Sequence, residues 1–178
     1  MDVYLLRHAD AVDVGEQGAK CDAERALSKK GRLQSWRVGT ALRRLDARLD
    51  LVIVSPLART RETAEQVLVA MRADVPVVCD NVMVPEGAPE EMWQAIRHAG
   101  VNGLLIVGHM PSIGRLAAFL LGQKPEEMAP QFRKATLASF FLESVGTTKK
   151  PSATLTGLYS ASAIGKLLSA THSADDED

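Results

Sequence analysis

The chain has 178 residues, enough for one domain with a sizeable core and too few for two ordinary ones. With 46% hydrophobic and 24% charged residues it has the composition of a globular protein, and wholesale disorder is excluded. A formal net charge of -1 leaves no global basic excess to hold a nucleic-acid backbone or an anionic membrane, so a small anionic substrate must be held by a few placed residues.

The first apolar run, Val3 to Leu6, reads as a buried strand that starts almost at the N-terminus, with no basic leader before it. A helical segment follows, with Val38, Leu42, Leu45 and Leu49 expected on one face and Trp36 off that stripe. Leu51 to Val54 is the second strand. Ala64, Val67, Leu68 and Met71 then form an i, i+3, i+4, i+7 set on a second helix. Val75 to Val78 is read as a third buried strand. Met92, Ala95 and Ile96 mark a third helix that stops at Gly100. Leu104 to Val107 is the fourth strand, and a helix after Pro111-Ser112 carries Ile113, Leu116, Ala117 and Leu120. Ala135 to Leu142 and Thr154 to Tyr159 read as further strands, the latter at an edge, and Ala161 to Leu168 as a last helix.

Strands alternating with helices imply right-handed βαβ units. The expected fold is α/β: a three-layer α/β/α sandwich with a mostly parallel central sheet. One domain is expected over residues 1–170, followed by an acidic, disordered tail at 171–178. No apolar stretch approaches the roughly 20 residues that span a bilayer. Cys21 and Cys79 make neither a disulfide framework nor a zinc spacing, so a reduced cytoplasmic setting is the expectation. Cys21 is read as incidental and Cys79 as a core residue.

In such sheets ligands bind beyond the carboxyl ends of the strands. There stand Arg7 and His8 after the first strand, and Ser55, Pro56 and then Arg59 after the second. Glu86 lies a few residues after the third, and Gly108 and His109 follow the fourth. Two guanidiniums make a forked anion clamp. A histidine neutral at pH 7 is a competent nucleophile, and a second one held cationic by the bound anion donates to a phosphoryl oxygen. Phosphoryl transfer needs mainly positioning and charge stabilisation, and this set supplies both without a metal. No metal or other cofactor is therefore expected. The tripeptide alone is weak evidence, because Arg97-His98-Ala99 repeats Arg7-His8-Ala9 at a helix end, where cations suit the dipole. Gly165-Lys166 lacks both the leading glycine and the trailing Ser or Thr of a phosphate loop.

Leu6-Arg7-His8-Ala9-Asp10, Ser55-Pro56-Leu57-Ala58-Arg59-Thr60 with Glu62-Thr63-Ala64, and Val107-Gly108-His109-Met110-Pro111 resemble the three ordered motifs of the histidine phosphatase superfamily, the phosphoglycerate-mutase-like fold. The short chain and its first and third motifs look most similar to the SixA-type phosphohistidine phosphatases, over roughly Met1 to Leu142. The resemblance implies transient phosphorylation of His8, with Arg7, Arg59 and His109 around the phosphoryl group and Arg25 as a further phosphate-facing arginine. It also offers Glu86 as general acid, by similarity to a Pro-Glu segment of the family. The other reading of Glu86 is a loop carboxylate capping the helix that begins near Pro89, a role Glu90 or Glu91 can share.

The implied function is a phosphatase acting on phosphohistidine of a protein, of histidine-phosphotransfer type. The same pocket also suits a small-molecule phosphomonoesterase, and a third reading is a catalytically inactive phosphate-binding domain, which the intact set of four residues disfavours. Mutase activity is disfavoured because only about two dozen residues separate Asp80 from Gly103, little for a lid. No nucleic-acid or membrane partner is expected, and the oligomeric state is left open.

Overall fold

A computed structural model of the chain describes residues 1–127, 129–143 and 151–170, and the tail expected at 171–178 lies outside them. Six strands form one sheet: β1 (Asp2–Arg7), β2 (Leu51–Val54), β3 (Val77–Cys79), β4 (Gly103–Gly108), β5 (Leu137–Leu142) and β6 (Ala153–Tyr159). Their spatial order is β3-β2-β4-β1-β5-β6. The first four neighbours in that order run parallel, and β5 and β6 are antiparallel additions.

The helices are α1 (Lys29–Arg44), α2 (Ala58–Met71), α3 (Pro89–Ala99), α4 (Ser112–Leu120) and α5 (Ala161–Ala170). They fall on the two faces of the sheet as side-chain alternation requires. Val3, Leu5, Leu104 and Ile106 point to one face and pack with Met92, Trp93 and Ile96 of α3 and Ile113 and Leu116 of α4. Leu6, Val52, Val54, Leu105 and Val107 point to the other, against Val38 and Leu42 of α1, Val67 and Met71 of α2 and Ile164 of α5. Strand β4, buried at all six positions, is the middle of the core.

Three expectations are corrected. β3 is not a buried strand: Val77, Val78 and Cys79 are exposed, because β3 is the sheet edge with β2 as its one neighbour. Cys79 therefore is a surface thiol and no core residue, and Cys21 is exposed as well. The apolar stripe of α1 stops at Leu42; Leu45 closes the helix at 60% exposure and Leu49 lies beyond it.

α1 is seated unusually close to the segment after β1. A Cβ on Gly31 would stand 1.9 Å from the Asp10 carbonyl oxygen, so only glycine fits that crossing. Ser28 caps the helix by accepting from the Gly31 amide (3.0 Å) and donates to Asp10 Oδ2 (2.6 Å). Helix and loop are thereby locked together next to His8. At the far end of α3, Gly100 adopts φ 62° and stops the helix, with Arg97 and the exposed His98 in its last turn. The second Arg-His-Ala is thus a helix terminus at the end of the sheet where β4 begins, opposite to the end that carries His8 and His109.

Candidate active site

β1 and β4 are adjacent and parallel, in register Arg7 to Gly108, so the next residue on each, His8 and His109, must emerge side by side. The His8 amide donates to the Gly108 carbonyl (2.9 Å), and the two imidazole centroids stand 5.1 Å apart, tilted by 56°. β2 flanks β4 on the other side, with Val54 opposite Val107, and the Ser55 amide donates to the Val107 carbonyl (3.2 Å). Three strand ends thus lie in a row.

Arg59 is reached one step further on, in the first turn of α2, and it is buried at 5% exposure. Thr63, one turn along, accepts from the Ala9 amide (3.1 Å) and donates to the Arg59 carbonyl (2.6 Å), fastening α2 to the His8 loop. Arg7 donates to the Phe132 carbonyl (2.7 Å), and its buried Nε has no partner. Both ring nitrogens of His109 and the Ser55 hydroxyl are likewise buried and unpartnered among the described residues. Buried polar groups are almost always paired, so polar groups left open at three neighbouring strand ends mark a place for a polar ligand.

His8 is fixed in a defined tautomer. Its Nδ1 lies 2.7 Å from the Ala9 carbonyl oxygen, which can only accept, so Nδ1 carries the proton and the Nε2 lone pair is free. Burial first, with the charges of Arg59, Arg7 and Lys134 after it, lowers the His8 pKa to about 4 despite the opposing Ala9 bond. Burial, His8 and Arg59 lower that of His109 to about 3, against Asp22. Both rings are neutral at pH 7. The sequence expectation that His109 is cationic therefore requires the anion itself: without one, burial first and the charges of Arg59 and Arg7 after it keep its proton off.

The same shifts govern acid stability. In the unfolded chain both imidazoles take up protons below about pH 6.5, whereas in the folded chain they do so only near 4 and 3. The stability they contribute is full above pH 6.5 and is lost as pH falls toward 4, by about 3 kcal/mol for His8 alone at pH 4. Thermal melts across this window are expected to show Tm dropping, and to flatten in a His8→Ala/His109→Ala double variant. An unchanged slope in that variant counts against the neutral pair.

Asp22 and Lys134 carry no motif and escaped the sequence reading. Asp22, in the short helical turn Asp22–Glu24, has its Oδ2 3.0 Å from an Arg59 Nη and its Oδ1 3.0 Å from an Arg25 Nη. Arg25 also donates to the Val12 carbonyl (2.6 Å) and to Asp13 (3.2 Å), so it joins the cluster through Asp22. Lys134 pairs with Asp10 at 2.7 Å, close enough for its charge to act on His8. Burial pushes the Asp10 carboxyl up, but the bonds from Lys134 and Ser28 outweigh it and hold it below its ordinary value. Glu62 accepts from the Leu27 amide (3.0 Å) and positions the segment carrying Arg25. For Asp22 the available signal was its proximity in sequence to Arg25, and Lys134 had no such signal.

Glu86 is exposed in the turn before α3 and makes no hydrogen bond or ion pair among the described residues. That turn is at the right end of the sheet, since the Met83 carbonyl lies 3.4 Å from where a Cβ on Gly108 would stand. The capping reading of Glu86 is corrected: the α3 N-cap is Ala88, with no side-chain cap, and Glu90 and Glu91 occupy the first turn. Among the described residues no group of three or more His, Cys, Asp or Glu side chains could hold a metal ion, and no helix is long and apolar enough to cross a membrane.

The comparisons with known proteins agree with this geometry. A family model described as histidine phosphatase superfamily (branch 1) matches residues 3–82. The phosphohistidine phosphatase SixA of Escherichia coli is 29% identical over 82% of this chain and 88% of its own length. An uncharacterised protein of Picosynechococcus is 32% identical over 69% of this chain and 75% of its own. The solved structure of the protein histidine phosphatase SixA complexed with tungstate superposes with a TM-score of 0.76 at 26% identity, covering 91% of this chain and 98% of that one. With its mostly parallel sheet, paired strand-end histidines and the buried Arg59, the chain belongs to the histidine phosphatase superfamily and is a phosphatase.

Proposed function

We propose that this phosphatase removes phosphate from phosphohistidine on a protein, through a phosphorylated His8. The observation that carries the reading is the fixed tautomer of His8, which leaves its Nε2 lone pair free beside the unpartnered His109 ring and next to Arg7, whose Nε is also unpartnered. Nε2 attacks phosphorus of a phosphohistidine already protonated on its other ring nitrogen, the P–N bond to that imidazole breaks, and the imidazole leaves neutral, keeping that proton. Water then attacks the phosphoryl group on His8, releasing orthophosphate and restoring the neutral ring. Arg7 and Arg59 balance the phosphoryl charge throughout, and Arg25 is a further anion contact. His109 gains its proton as the anion binds and donates to a phosphoryl oxygen.

The choice of a protein substrate rests on access and on chemistry. Between β3 and β4 the chain provides only the turn Asn81–Met83 and α3, with no long lid over the strand ends, so a side chain on a partner's helix can reach His8. The relative named for phosphohistidine is similar over most of both chains. Two exposed, unpaired thiols fit a reduced cytoplasmic setting.

Leaving-group chemistry tests this against the small-molecule alternative. An alkoxide needs a proton in the transition state, and general acid catalysis is worth typically 10²–10⁴-fold. A protonated imidazole, with a reference pKa of about 6.5, leaves neutral and needs far less help. Glu86→Gln is therefore expected to leave turnover of a phosphohistidine protein nearly unchanged while suppressing side activity on alkyl phosphates. Equal large losses on both substrates, or a wild-type preference for alkyl phosphates, assigns the protein to small phosphomonoesters instead.

A further inference from the structure

The clamp that should receive a phosphoryl group is already engaged by the chain itself. The Arg59 fork donates one Nη to the Asp22 carbonyl (2.7 Å) and the other to Asp22 Oδ2 (3.0 Å). The second carboxylate oxygen takes Arg25 (3.0 Å). Two oxygens of one anionic group, each on a different guanidinium, reproduce how a phosphoryl group would divide itself between those arginines. The Asp22 charge also reaches His109, where it works against the loss of the ring proton. Meanwhile the polar groups on the His8 side of the site, Arg7 Nε and the two His109 ring nitrogens, stand unpartnered among the described residues.

The two halves of the Asp22–Arg59 contact differ in what it costs to break them. The Arg59 side chain is 6% exposed and cannot retreat to water, whereas the Asp22 side chain is 58% exposed and regains hydration by a rotation. The carbonyl bond can keep Arg59 aimed while the carboxylate bond is exchanged for a phosphoryl oxygen. We propose that Asp22 is an internal competitor for the phosphoryl site: it occupies Arg59 in the resting enzyme, yields it when a phosphoryl group binds, and returns as orthophosphate leaves. Asp22 thereby sets the affinity for phosphoryl groups and hastens product release. This goes beyond the substrate assignment and holds for either substrate class, but it rests on Arg59 being a phosphoryl contact.

The opposite view, that Asp22 only braces the arginines, predicts the opposite sign, so the test is direct. Dissociation constants of orthophosphate and vanadate are measured for wild type, Asp22→Asn, Asp22→Ala and Glu24→Gln, with thermal melts to confirm folding. Glu24, on the same turn, accepts from the Lys20 amide and touches neither arginine, so its variant should match wild type. Both Asp22 variants are expected to bind the anions about tenfold more tightly, the size of one exchangeable charged contact. Unchanged or weaker binding in folded variants overturns the proposal. Unmodified protein crystallised with vanadate gives a check without substitution: Asp22 Oδ2 should have left hydrogen-bond range of Arg59, and a retained contact overturns it. If wild-type protein binds neither anion, the assignment of the phosphoryl site fails as well.

Discussion

Replacing His8 with Ala is expected to abolish turnover, by about 10⁴-fold or more, the scale on which covalent enzymes lose activity without their nucleophile. The size follows from the geometry. Among the described residues His8 is the one imidazole whose Nδ1 is bound to a carbonyl and whose Nε2 is free, while His109 has neither nitrogen fixed. No neighbouring group can replace it, since Ser55 has no base bonded to its hydroxyl and both cysteines lie on the surface. Rapid quench of wild type with labelled substrate should trap an acid-labile, alkali-stable phosphoenzyme, absent from the variant. The variant should still fold, because His8 makes one local side-chain bond and the strand before it keeps its core residues Val3, Leu5 and Leu6. Label on a serine or cysteine would falsify the assignment.

Arg59→Ala is expected to lower kcat/KM by about 10²–10³-fold on every phosphoryl substrate, the range lost when one preorganised charge-stabilising donor is removed. Its guanidinium is buried, and Thr63 anchors the backbone at Arg59 to the Ala9 amide, so its position is set before substrate arrives. Truncation also frees the Asp22 carboxylate beside His109, adding a negative charge where the phosphoryl group must sit. The loss should thus appear in anion affinity as well as in turnover, with vanadate inhibition weakened in parallel. Because arginines supply the positive charge, wild-type activity should persist in excess chelator. Restoration of Arg59→Ala activity by Lys to within a few-fold would show that a point charge suffices and that the fork geometry is unimportant.

The sequence determined the elements, and for a local reason. Short apolar runs bounded by turn residues can be strands wherever they end up, and residues directly after them must stand at strand ends. Arg7, His8, Ser55 and His109 were legible on that basis, and the stripe Ala64, Val67, Leu68, Met71 buries as its spacing requires. Gly100 was legible because left-handed backbone is cheap only for glycine, and it closes α3 at φ 62°.

Only the tertiary structure decided which strands are neighbours, and with that the site itself. Nothing in Val3 to Leu6 or Leu104 to Val107 encodes that β1 and β4 pair, yet that pairing sets His8 beside His109, where burial first and the nearby Arg59 and Arg7 charges after it keep both rings neutral. The exposure of Val77 to Cys79 has the same origin, since an apolar run reads alike at the centre and at the edge of a sheet. Asp22 was invisible for a sharper reason. An acidic residue in a polar loop looks solvated in sequence, and its value to Arg59 arises only when a loop following β1 folds across the first turn of α2. Local chemistry is written along the chain, whereas proximity between distant segments is set by strand order and hydrogen-bond register, which exist only once the sheet has formed.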